Sequence, residues 1–106
     1  MIVTTLPRNT SAGLANLATG SFTTPDPAEL ITVICGFRPR RVELINATTP
    51  TVLVKTASMD AGATFRQVAA GTGTIQTGHI TLTDEGFTLA ATPAGAAQTW
   101  HYAAQD

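Results

Sequence analysis

Acid–base, nucleophilic and metal chemistry draw on imidazole, thiol and carboxylate side chains, and this chain holds few of them. Its two histidines, His79 and His101, stand far apart, and neither has a second ligand at metal-binding spacing. They meet only if folding lays their strands side by side, so each is expected to be a hydrogen-bonded structural histidine. Cys35, the one thiol, closes an apolar run and reads as a buried, inert group with no neighbouring base. Asp84 and Glu85 are adjacent, which turns them apart in a strand and toward water in a turn. With Gly86 next, they read as turn formers rather than a paired acid and base. Asp60, close to Gly62, reads the same way. Gly71-Thr72-Gly73 has neither the lysine nor the following helix of a phosphate-binding loop. These residues predict no catalytic centre, no bound cofactor and no metal site.

One charge concentration remains. Arg38-Pro39-Arg40-Arg41 holds three of the six basic residues. Guanidinium groups on a turn and strand can grip an acidic protein surface through forked hydrogen bonds. They can equally keep an exposed sheet edge from pairing with another chain. Both readings stay open at this point. A nucleic-acid partner is not expected, because the net charge is −1 and the pI near 6. No aromatic platform or further basic residues accompany the cluster.

The elements that must carry these residues are short. Thr, Val and Ile favour pleated, half-buried backbone, and about a fifth of the residues are threonine. Leu30 to Cys35 is apolar on both faces, like a strand covered on two sides. Arg41 to Ala47 alternates, Val42 and Leu44 against Glu43 and Ile45. Beyond the turn at Asn46 to Pro50 comes a strand from Thr51 to Ala57. Thr64 to Ala69 alternates again, with Phe65 and Gln67 opposite Arg66 and Val68, and Gly71-Thr72-Gly73 turns the chain. His79 to Thr83, Phe87 to Ala91 and Gln98 to Ala104 complete about seven strands with turn punctuation. The spacing predicts an all-β domain, a small antiparallel sandwich or barrel, since no crossover helix is present to make strands parallel. Trp100 and Tyr102 alternate onto one face of the last strand and are assigned to the core.

Residues 1–27 differ from the rest. They are rich in Thr, Ser, Gly, Ala and Pro, with Arg8 and Asp26 as their charges. Ser11 to Ala18 has the pattern of a short helix capped by Ser11. The remainder reads as an extended arm closed by Pro25-Asp26-Pro27. The expected organisation is an N-terminal arm over 1–27 and a β-sandwich over 28–106. Such an arm buries too little apolar surface to offset the entropy of fixing it. It is expected to order against a neighbouring subunit, with Leu6, Leu14, Leu17 and Phe22 as anchors.

At 106 residues the chain fits one domain. Its aromatic content is 6%, so the core must be built mainly from Val, Ile, Leu and Ala, which makes docking or oligomerisation a natural source of added stability. One cysteine cannot form an intrachain disulfide, which excludes a secreted disulfide scaffold. The N-terminus lacks the basic and long apolar regions of a signal peptide. No apolar run approaches the roughly 20 residues that span a bilayer. Synthesis in the cytoplasm and no membrane partner are expected.

The segments CGFRPRRVELIN, VAAGTGTIQTGHITLTDEGFTL and the closing WHYAA resemble small virion proteins of tailed bacteriophages, among them capsid decoration (cement) proteins. The resemblance covers Ile31 to Ala104 and is carried by Gly36, Phe37, Pro39, Arg40, Ala69 to Gly73, Asp84, Gly86, Phe87, His101 and Tyr102. Gly86 makes sense there as a residue that permits a positive φ after the acidic pair. Thr51-Val52-Leu53-Val54-Lys55-Thr56 departs from the pattern, in which a more acidic and aromatic stretch is expected. The resemblance implies a non-enzymatic component of the outer capsid surface that bridges subunits of the major capsid protein, as a homotrimer on three-fold positions. Arg38, Arg40 and Arg41 and the arm would make the contacts. The alternative is a tail- or fibre-associated protein that binds a host-surface glycan, with Trp100 and Tyr102 as its aromatic platform.

Overall fold

The computed structural model describes residues 1–4 and 17–106. In chain order its strands are β1 (Ile2–Thr4), β2 (Leu17–Thr23), β3 (Ile31–Ile34), β4 (Arg41–Asn46), β5 (Thr51–Thr56), β6 (Ala63–Val68), β7 (Gly73–Thr77), β8 (Ile80–Thr83), β9 (Gly86–Leu89) and β10 (Thr99–Gln105). A single helical turn, α1 (Ala91–Ala94), precedes the last strand. The strands form a four-stranded sheet, β1-β3-β9-β8, and a six-stranded sheet, β2-β10-β4-β5-β6-β7. One core draws on both sheets, so the all-β sandwich expected from the strand spacing is the fold.

Alternation explains which residues enter the core. In β4, Val42, Leu44 and Asn46 are buried while Ile45 is exposed; in β10, Trp100, Tyr102 and Ala104 are buried while His101 is exposed. Opposite them the four-stranded sheet presents Ile31, Val33, Ile80, Phe87 and Leu89. The Phe87 ring meets Tyr102 edge-on at a centroid distance of 5.8 Å, and the Phe22 ring lies 6.0 Å from Tyr102, tilted by 38°. The buried Trp100 indole Nε1 donates to the Ala94 carbonyl at 2.9 Å, which satisfies the donor and fastens α1 over the core. Cys35 is fully buried, and burial pushes its thiol up to about 11, so it stays protonated and a poor nucleophile.

Four features differ from the sequence reading. Within residues 1–27, Ile2–Thr4 and Leu17–Thr23 are strands: β1 pairs with β3 and β2 pairs with β10 along its whole length. Ala18 and Phe22 lie in the same core as residues beyond Pro27, so the expected division at residue 27 runs through one packed body. Small inward residues, Ala18 and Gly20, hide the alternation of β2 from a hydropathy reading. Of the expected Ser11 to Ala18 helix, Leu17 and Ala18 belong to β2 and the rest lies outside the described residues. The β1–β3 pair is parallel, although every other pairing among the described residues is antiparallel. The chain between β1 and β3 supplies β2 to the other sheet, and that detour serves as the crossover. Finally, β7 was hidden by its flanking glycines and its one large apolar residue, Ile75.

Candidate functional site

The outward face of the six-stranded sheet gathers apolar side chains. Register places Glu43, Val54, Phe65 and Ile75 in one row across β4 to β7, with Ile45 and Val52 paired in the adjacent row. The period of two that sends Leu44, Leu53 and Thr64 inward sends these residues outward. Ile45 is 44% exposed and Ile75 62%, while Val52, Val54 and Phe65 are half-buried by one another and by their neighbours. Gly73 gives the Phe65 ring its place, since a Cβ there would stand only 2.8 Å from the ring. Beside the row, β10 sets His101 opposite Ile45 and Ala103 opposite Glu43. A shallow hollow of about 180 Å³ opens among Glu43, Ile45, His101 and Ala103. A contiguous apolar strip rimmed by Arg41, Glu43 and Gln67 is a docking surface in composition: an apolar centre within a polar margin.

The arginines do not form one free patch. Arg38 pairs with Asp84 at 3.1 Å, Arg40 with Asp106 at 3.4 Å and Arg41 with Glu43 at 3.0 Å. Exposed pairs of this kind contribute about 0–1 kcal/mol each, so they remain exchangeable for a partner's carboxylates. Arg41 sits on β4, which has β10 on one side and β5 on the other. It therefore guards no sheet edge. Of the expected arm anchors, Leu17 is 52% exposed on β2, an edge strand, and Phe22 is a core residue. Leu6 and Leu14 lie outside the described residues.

His101 faces outward from the six-stranded sheet, whereas His79 precedes β8 of the other sheet, so folding does not bring the two together. Among the described residues no group of three or more His, Cys, Asp or Glu stands together as a metal site. Burial lowers the pKa of His79 below its ordinary 6.5; a hydrogen bond to the Thr77 backbone opposes this, and the nearby Arg66 cation adds to it. With the folded-state pKa depressed, the unfolded chain binds more protons as pH falls below 6.5, so stability drops. Wild-type protein is expected to lose more of its urea midpoint between pH 7.5 and pH 5 than His79→Gln, as read by denaturation at the two pH values.

Lys55 was not singled out by charge or motif, yet it is 2% exposed on the inward face of β5. Its Nζ donates to the carbonyls of Asp60, at 3.0 Å, and Ala63, at 2.7 Å, and so closes the β5–β6 connection. Burial lowers its pKa and the Asp60 charge opposes the shift. The apolar outward strip was missed as well, although Thr51-Val52-Leu53-Val54 carried the signal: a strand apolar on both faces has two surfaces to cover. Comparison of this chain with protein-family models, with curated proteins and with solved structures finds no match.

Proposed function

We propose that the protein is a non-enzymatic virion component that docks its six-stranded sheet on the outer surface of an assembled bacteriophage head and braces adjoining subunits of the major capsid protein. The observation that carries the docking reading is the outward apolar strip Ile45, Val52, Val54, Phe65 and Ile75, gathered by register on one face of the six-stranded sheet. The resemblance of the 35–46, 68–89 and 100–104 segments to phage decoration proteins supplies the virion context. Hydroxyl-rich strands around the strip suit contact with another protein, because Thr offers a donor and an acceptor without the desolvation cost of a charge. A homotrimer on a three-fold position repeats one contact around the axis and multiplies its strength. The glycan-binding alternative draws no support from Trp100 and Tyr102, which are 1% and 4% exposed.

Binding that recognises only the assembled lattice stabilises that lattice by mass action. Heads lacking this protein are expected to assemble but to release their DNA at a lower temperature than complete heads, measured by dye access during heating. Equal thermal resistance of the two kinds of particle, or a label on Asp106 found at tails in micrographs, would overturn the capsid-bracing role.

A further inference from the structure

A second cavity, of about 210 Å³, opens where β4, β5 and β6 meet the segment that contains α1; Asn46, Thr49, Thr51, Arg66, Pro93 and Gln98 contribute to its walls. We propose that this cavity binds a carboxylate group, held by the Arg66 guanidinium with the Thr51 hydroxyl beside it. The site is independent of the outward docking face.

Arg66 projects from the inward face of β6, in register with Leu53 on one side and Thr74 on the other. Arg38, Arg40 and Arg41 each have a carboxylate within 3.4 Å. Arg66 has none among the described residues. Its Nε is buried without a hydrogen-bond partner, and the other such side-chain atom among the described residues is Nε2 of His79, its electrostatic neighbour. Buried donors in native proteins are satisfied by protein, water or ligand. A half-buried cation with no counterion is a stronger demand than a neutral donor.

The rest of the wall is already committed. Asn46 Nδ2 donates to Gln98 Oε1 at 3.2 Å, and Asn46 Oδ1 accepts from the backbone of Thr48 and Thr49. Gln98 Oε1 also accepts from the Thr49 hydroxyl, while its Nε2 donates to the Ala96 carbonyl. These bonds hold the wall rigid and leave Arg66 and the Thr51 hydroxyl to meet a ligand. The planar fork of one guanidinium matches the two oxygens of a carboxylate. A phosphate dianion would need a second cation, and Arg66 is the one basic residue among those described that line the cavity. Pro93 and Ala94 provide an apolar flank for a short aliphatic stem.

The test uses the full-length protein and the Arg66 Nε–H resonance, which a buried guanidinium makes visible by NMR. Acetate and a glutamate blocked at both termini are titrated against sodium chloride at equal ionic strength. A saturable shift with acetate alone assigns the site to a free small carboxylate; saturation with both assigns it to an acidic side chain of a partner. Either result supports the proposal. Shifts no larger than those in sodium chloride would leave water as the occupant and overturn it. Followed on the backbone amides of Thr51 and Gln98, Arg66→Gln should raise the acetate half-saturation at least about tenfold, equal to about 1.4 kcal/mol. Thr51→Val should raise it by less. An unchanged half-saturation in Arg66→Gln refutes the assignment, and the wild-type titration decides alone if that variant does not fold.

Discussion

Gly86→Ala is expected to destabilise this protein severely. Gly86 opens β9 and pairs with Ile34 of β3, and a Cβ at that position would overlap the Val33 carbonyl. The obstacle is backbone on a paired strand, so no rotamer change can relieve it. The β3–β9 pairing, with Ile31, Val33, Phe87 and Leu89 buried along it, would have to separate. Overpacking in a core costs about 1–3 kcal/mol and more where backbone must move; a loss of about 3 kcal/mol or more is expected here. Domains of this size have only about 5–15 kcal/mol to lose. Urea denaturation of Gly86→Ala beside Gly62→Ala checks it, because nothing lies within 4 Å of a Cβ at Gly62. The Gly62 variant should stay within about 0.5 kcal/mol of wild type. Similar midpoints for the two variants would show that the close approach to Val33 is not restrictive.

Ile45→Asp combined with Ile75→Asp should abolish docking while leaving the domain folded. Both residues are substantially exposed at opposite ends of the outward strip, so neither replacement opens a cavity in the core. On docking, each carboxylate would be stripped of water with no partner built to receive it, and burying an unpaired charge costs several kcal/mol, on the order of 3–5. Attachment to heads should weaken at least about a hundredfold, close to 2.7 kcal/mol. Co-sedimentation with heads, alongside thermal unfolding of the free variant, separates loss of contact from loss of fold. Retained attachment by a folded double variant would move the interface to another face.

Much of the fold was legible along the chain because a strand's two faces are written in a local code of period two. Val42 and Leu44 against Glu43 and Ile45, and Trp100 and Tyr102 against His101, could be sorted into core and surface without knowing what they would meet. The inert character of Cys35 followed from its apolar neighbours in the same way. Gly86 was visible as a residue that had to be glycine, but the reason proposed was a positive φ. Among the described residues the positive-φ glycines are at 36, 71, 78 and 95, and Gly86 is required instead by the approach of another strand.

What stayed hidden depends on which segments lie side by side, and no local pattern records that. Residues 1–27 read as an arm because Ala18 and Gly20 are too small to mark a buried face. Their partners, Ala104 and Tyr102, lie far along the chain, and Tyr102 fills the space Gly20 leaves, with its hydroxyl pressed against it. Arg38, Arg40 and Arg41 read as one patch, yet each turns to a different carboxylate that folding brings near. Arg66 read as one member of an alternating strand, and only the arrival of α1 and the β4–β5 turn makes it the unpaired cation of a cavity. Composition and alternation thus determined most of the strands beyond Pro27 and their buried faces, since both are set by neighbours within a few residues. The docking strip, the close contact at Gly86 and the Arg66 cavity were decided by strand order and register, which bring together residues that share nothing in sequence.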